Sequence, residues 1–281
     1  MNNRLYLADK DTLDIVRTNT DALVKELIPY RVESWKQVQK IVRSGEASSV
    51  FHLGDQFVSY YGASQIIWEV IGIDVDTPAD SQFTHSMTLQ TKDCLHNIQF
   101  DAKEPNNPNS DRRSYGNNRY THSAVRQWLN SDDEIFNWQP QHQYDATPTD
   151  SLDVYNSAGF LYRLDPELVS VLGAVNKKVA LNTVTDGGGQ ETFSDKVFLL
   201  SPYEVDLGTE GNTTGEFIYP FYNGAGNAGR IKKLGTTTRN WWLRSPHVSY
   251  SHHVRNVNTD GSLNRDVAST AYGVSPACVI I

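Results

Sequence analysis

The chain has 281 residues, 38% of them hydrophobic, and its 33 acidic against 25 basic residues give a net charge of -8. It can bury a full core as one large domain or two smaller ones, and its acidic balance without a basic cluster argues against a nucleic-acid groove. No apolar stretch approaches the roughly 18 residues of a membrane span, the opening Met1-Asn2-Asn3-Arg4-Leu5 lacks a signal-peptide core, and Cys94 and Cys278 form no disulfide framework, so a reducing cytoplasm without membrane partners is the expected setting.

In chain order, Asp11 to Leu27 carries Leu13, Val16, Leu23, Val24 and Leu27, and Ser34 to Val42 carries Trp35, Val38, Ile41 and Val42. Both spacings predict amphipathic helices, separated by Pro29 and stopped at Gly45. Residues 1–45 therefore read as an N-terminal helical extension suited to attachment or oligomerisation, followed by one domain over 46–281. From Val50 the texture is strand-like: Val50 to Leu53, a turn at Gly54-Asp55, Gln56 to Tyr60, Ile66 to Ile73 and Ser86 to Leu89, a meander of antiparallel strands. A polar insertion from Asp101 to Asn118 precedes a short helix, Ser123 to Leu129, capped by Ser123 and ending near Asn130. Another helix is predicted at Pro166 to Leu172, with Asp165 as N-cap and Gly173 at its end. Beyond it come Lys177 to Thr183, a turn at Asp186 to Gly189, a strand at Lys196 to Leu200 and a glycine-rich excursion from Gly208 to Gly229.

The C-terminal stretch is the most informative. Trp241-Trp242-Leu243-Arg244-Ser245-Pro246 opens it, and the apolar run Ala277 to Ile281 closes it as a buried strand. Between them lie His247, Ser249, Tyr250, Ser251, His252, His253, Arg255, Asn256, Asn258, Asn264, Arg265, Asp266, Ser269, Thr270 and Tyr272. These side chains combine adaptable hydrogen bonding with rigid aromatic contact, the composition of a binding surface. On an alternating strand Trp241 and Trp242 face opposite sides, one filling the core and the other supporting the binding face.

The motifs Gly54-Asp55-Gln56, Trp68 to Gly72, His85 to Leu89, Tyr115-Gly116-Asn117-Asn118, Arg126 to Asn130, Asp195 to Ser201, Trp241 to Pro246 and Gly273 to Ala277 together resemble an uncharacterised family. That family is abundant in phages and prophages of gut Firmicutes and is placed with the C-type-lectin-like fold. The resemblance runs from about Trp35 to the C-terminus, with Ser275 standing where the family usually has Arg. It implies an α+β fold, a C-type-lectin-like domain of the formylglycine-generating-enzyme-like variant, with antiparallel strands, short helices and long loops. Some members are targets of diversity-generating retroelements, which rewrite codons toward Asn, Ser, Thr, Tyr, His, Asp and Arg near the C-terminus. The segment His247 to Tyr272 matches that outcome, with Val254, Val257, Gly261, Leu263 and Val267 as the constant scaffold.

The resemblance thus implies a phage virion protein, assembled in the host cytoplasm, that binds a bacterial cell-surface glycan or protein as a tail fibre, tail tip or capsid decoration. Homo-oligomers and contacts to other virion proteins go with that role. The alternative is a purely structural virion protein whose polar face meets neighbouring subunits, and an enzyme on the same fold stands behind both. Cofactors are not expected: Glu104-Pro105-Asn106 matches the calcium and sugar tripeptide of true C-type lectins, but the partner motif Trp-Asn-Asp is absent. Asp132, Asp133 and Glu134 lack the ligand spacing of a calcium loop, and adjacent His252 and His253 point in different directions on a strand. The enzyme chemistry of this fold needs reactive cysteines, whereas Cys94 and Cys278 read as packing residues. The chain offers no phosphate-binding loop and no nucleophile with an evident base.

Overall fold

In the computed structural model, which describes residues 34–149 and 151–281, the apolar C-terminal run becomes the strand that organises the fold. β1 (Gln56–Tyr61), β2 (Ser64–Ile73) and β3 (Met87–Thr91) form the expected antiparallel meander. The final strand, β14 (Ala277–Ile280), pairs with β3 on one side and with β7 (Val197–Phe198) on the other, giving the order β1-β2-β3-β14-β7. A strand covered on both faces carries no polar alternation, and all four β14 residues are fully buried.

A second sheet has the order β12-β11-β10-β13-β4, built from β4 (His96–Gln99), β10 (Trp241–Pro246), β11 (His253–Val257), β12 (Leu263–Val267) and β13 (Ala271–Val274). Only its β10–β13 pairing is parallel. Two hairpins complete the strands, β5 (Val175–Ala180) with β6 (Gln190–Asp195), and β8 (Lys232–Leu234) with β9 (Thr237–Arg239). With short helices between them, the chain is an α+β fold of mainly antiparallel sheets.

The helix Trp35–Arg43 buries Trp35, Val38 and Val42 in the same core as Phe57, Trp68 and Val279. Trp35 lies 5.6 Å from the Phe57 ring, so the expected boundary near residue 45 does not separate two cores. The helix predicted at Asp11 to Leu27 lies outside the described residues.

Several local expectations change. Val50 to Leu53 is not a strand: Ala47–Val50 is a helical turn, Gly54 takes φ 83°, and His52 donates its backbone N–H to Asp55 at 2.9 Å. The polar insertion contains the helix Ser110–Tyr115, capped where the Asn109 side chain accepts from the Arg112 N–H at 3.0 Å. Its Asn-rich approach is the cap itself. The helix Ala124–Leu129 has the predicted Ser123 cap, and Pro166–Val169 has the Asp165 cap but stops earlier than Leu172.

The Trp-Trp-Leu-Arg-Ser-Pro motif joins the layers. Both tryptophans are fully buried, with Trp241 Nε1 donating to Arg230 O and Trp242 Nε1 to Ile98 O, each at 2.9 Å. Trp242 also packs 4.9 Å from the Tyr272 ring. Neither therefore lies on a surface, because strands or loops cover both faces of β10. Arg244 is equally buried and donates to the backbone oxygens of Lys178 at 2.9 Å and Leu199 at 3.0 Å. Its Nη1 and Nη2 reach both Glu204 oxygens, and Nη2 meets Glu216 at 3.3 Å. Lys177 Nζ adds contacts to Asp76 at 2.9 Å and Glu204 at 2.5 Å. Burial alone would raise the Glu204 carboxyl, but the Arg244 and Lys177 cations overcome it and hold it at about 2.

Ser275 fills the position where the related pattern has Arg. Its hydroxyl donates to Thr91 O at 2.9 Å, so this buried site is satisfied without a guanidinium.

Candidate ligand-binding face

The β11–β12 hairpin presents a row of polar side chains because its turn is fixed tightly. Gly261 closes the turn at φ 82°, and a Cβ there would sit 1.9 Å from Asn227 O, so only glycine fits. Strand alternation then divides the side chains. Val254 and Asn256 turn inward, while His253 and Arg255 take the outer side, with Arg255 directly opposite Arg265.

On this outer side Glu210 is the central carboxylate. Arg255 Nη2 meets its Oε2 at 2.5 Å, the Val248 N–H donates to its Oε1 at 2.8 Å, and His247 Nδ1 faces Oε1 at 3.8 Å. Arg265 Nη1 lies 2.8 Å from His247 Nε2, and its guanidinium stands 5.0 Å from the centre of the Tyr250 ring. Tyr250 in turn meets His247 and His253 edge-on, both at 4.8 Å. Burial lowers the pKa of His247, assisted by Arg255, and that of His253, assisted by His252 and Arg265. Neutral imidazoles result at neutral pH, so His247 Nε2 accepts from Arg265 and the positive charge of the face belongs to the two arginines.

The loop that carries Tyr250 is held from beneath by the polar insertion. Asn118 Nδ2 donates to Tyr250 O at 2.7 Å and to His253 O at 2.9 Å, and Asn182 donates to Asn118 Oδ1 at 2.9 Å. Arg112 Nε donates to Ser251 O at 3.2 Å, while its Nη2 is fixed by both Asp186 oxygens at 2.8 and 2.7 Å. Tyr115 packs 5.1 Å from His252. Such bonding preorganises Tyr250.

Of the candidate residues, His247, Tyr250, His253, Arg255 and Arg265 thus form one cluster, with Ser249 exposed beside it. Ser251, His252 and Asn256 are buried and do not belong to a surface. Ser251 bonds Asn109, His252 lies against Tyr115 and His253, and Asn256 is turned into the sheet. Asp266, Thr270 and Tyr272 form a separate cluster, with Tyr272 Oη 2.5 Å from Asp266 Oδ2 and Thr270 Oγ1 3.3 Å from Oδ1. It lies on the other side of the sheet, where Asn264 pairs with Asn256 and Asp266 with Val254. Asn258 shapes the hairpin turn, and the Ser269 N–H donates to Tyr115 O.

Sequence reading missed Glu210, Arg112, Tyr115 and Asn118 as parts of this site. Tyr115 to Asn118 were visible as a motif, but only the fold brings them under residues 247–253.

The other motifs do not converge. Glu104 is buried, bonded by Asn107, by Asn117 at 2.9 Å and by His142 at 2.8 Å, while Asn106 is exposed, so the tripeptide does not gather its oxygens. Among the described residues no group of three or more His, Cys, Asp or Glu is placed to hold a metal ion. Asp132, Asp133 and Glu134 are exposed. Burial pushes the Cys94 thiol up to about 12 and raises Cys278 as well, so neither is a ready thiolate. A cavity of about 450 Å³ near Gln39, Arg43, Phe83 and Ile281, and one of about 250 Å³ near Arg126, Gln141 and Asp195, lie apart from the hairpin.

A family model described as a domain of unknown function, DUF6273, matches residues 84–281. No curated protein and no solved structure gives a significant match.

Proposed function

The chain belongs to the DUF6273 family, and from that premise we propose that it is a non-enzymatic recognition protein whose outer β11–β12 face binds a ligand. The observation that carries this reading is Tyr250, an amphipathic ring set among His247, His253 and Arg265 and fixed from below by Asn118. A rigid aromatic with hydrogen-bonding neighbours suits a polar surface ligand, since little conformational freedom is lost on contact. Long polar loops on small sheets are consistent with a C-type-lectin-like domain of the formylglycine-generating-enzyme-like variant.

In this proposal the protein is a phage virion component, in a tail or as a capsid decoration, and its ligand is a glycan or protein of the bacterial surface. Contacts that are weak singly gain from repetition, because copies on one particle can raise avidity by roughly 10² to 10⁴. The outer residues can vary at little cost, as surface substitutions usually change stability by about 0.5 kcal/mol or less. A glycan array probed with the purified protein and with Tyr250→Ala tests the reading. Signal on some glycans that disappears in the folded variant supports it; an identical pattern for both proteins assigns binding elsewhere.

A further inference from the structure

The register of the hairpin places two arginines face to face, Arg255 opposite Arg265. Like charges directly opposite one another on a sheet destabilise the pair unless something neutralises them. Glu210 does so for Arg255, through Nη2 at 2.5 Å. Arg265 has no such partner among the described residues. Its contacts are the His247 ring nitrogen at 2.8 Å and the face of Tyr250 at 5.0 Å, and it is exposed. The nearest carboxylate in sequence, Asp266, is turned to the other side of the sheet and occupied by Tyr272 and Thr270. Beside it His253 Nδ1 is buried without a hydrogen-bond partner.

With neutral histidines, Arg255, Arg265 and Glu210 leave this patch one positive charge in excess, on a chain whose net charge is -8. The Arg265 fork keeps donors beyond the one directed at His247, and a planar guanidinium matches carboxylate and phosphate oxygens in pairs. Tyr250 lies beneath the guanidinium, and this cation–π contact holds the fork in place.

We infer that Arg265 is the centre of an oxyanion subsite on the outer β11–β12 face, with Tyr250 supporting its guanidinium, and that the ligand is an anionic polymer bearing carboxylate or phosphodiester groups. The inference rests on the binding-face reading above and gives its ligand a chemical class.

The test is binding of immobilised protein to poly(glycerol phosphate), polygalacturonate and neutral dextran at low and high salt, for the natural chain, Arg265→Met, Arg265→Lys and Tyr250→Ala. Thermal unfolding confirms that each variant is folded. The expected result is binding to at least one polyanion but not to dextran, weakened by salt, reduced tenfold or more by Arg265→Met and partly restored by Arg265→Lys. Preference between the two polyanions identifies phosphodiester or carboxylate as the source. No polyanion binding overturns the inference. Dextran binding lost in Tyr250→Ala but kept in Arg265→Met also overturns it while leaving the face intact. Polyanion binding that survives both Arg265→Met and Tyr250→Ala overturns the inference and the binding-face reading together.

Discussion

Arg244 and Glu204 form an ion pair in which neither side chain touches solvent, with Arg244 Nη2 at 3.0 Å from Glu204 Oε1 and Nη1 bonded to the other oxygen. The pair links β10 to the loop after β7, and Lys177 brings β5 to the same carboxylate at 2.5 Å. It explains why a buried arginine follows Trp241, Trp242 and Leu243: this cation joins the sheet that carries the β11–β12 hairpin to the rest of the core.

Removing one partner from a buried ion pair costs about 3–5 kcal/mol, and here Lys177 beside Glu204 and Glu216 beside Arg244 compensate the remaining charge only in part. Arg244→Met is therefore expected to lower unfolding stability by that order, and Glu204→Gln by less, because it keeps an acceptor for Arg244. Urea unfolding of the three proteins measures this. A loss below about 1 kcal/mol for Arg244→Met would contradict the role assigned to the network.

Acid acts in two stages. His122 is lowered from 6.5 to about 4 by burial, with help from Arg119 and His142. Between those values the unfolded chain binds the proton and the folded chain does not, so stability falls as pH drops from about 6.5 to 4. Glu204 is depressed from 4.5 to about 2, so its contribution is present above 4.5 and is lost as pH falls toward 2. Urea midpoints at stepped pH should show both declines, with the first reduced in His122→Gln. The same pH dependence in the natural chain and in His122→Gln from pH 6.5 to 4 would refute the histidine assignment.

Asn256 is fully buried, and neither of its side-chain polar atoms has a partner among the described residues. An unsatisfied buried amide costs about 1–3 kcal/mol. Asn256→Val should therefore raise stability by about 1 kcal/mol or more and leave ligand binding unchanged, since the side chain faces inward. Thermal melts paired with the glycan array decide; lost binding in a stabilised variant would return Asn256 to the site.

Sequence alone revealed the elements that carry their own signal. The buried β14 is a pure apolar run, Ser123 and Asp165 are caps of recognised type, and the β1–β2–β3 meander alternates as strands do. The helix Ser110–Tyr115 stayed hidden because its Asn109 cap reads equally as a loop. In the site, Tyr250 and Arg265 were legible by residue type, but alternation cannot assign a face without knowing register, so Asn256 and Ser251 were grouped with them. Glu210 was illegible for a different reason: its partner Arg255 is distant in sequence, and only the folded glycine-rich excursion brings the two together.

Binding by the outer β11–β12 face can be measured as adhesion of fluorescently labelled protein to intact Gram-positive cells. The natural chain is compared with a Tyr250→Ala, Arg265→Met double variant whose melting temperature is unchanged. Saturable binding by the natural chain and loss of most of it in the variant are the expected results. Equal binding by both proteins, or none by either, would contradict binding by this face.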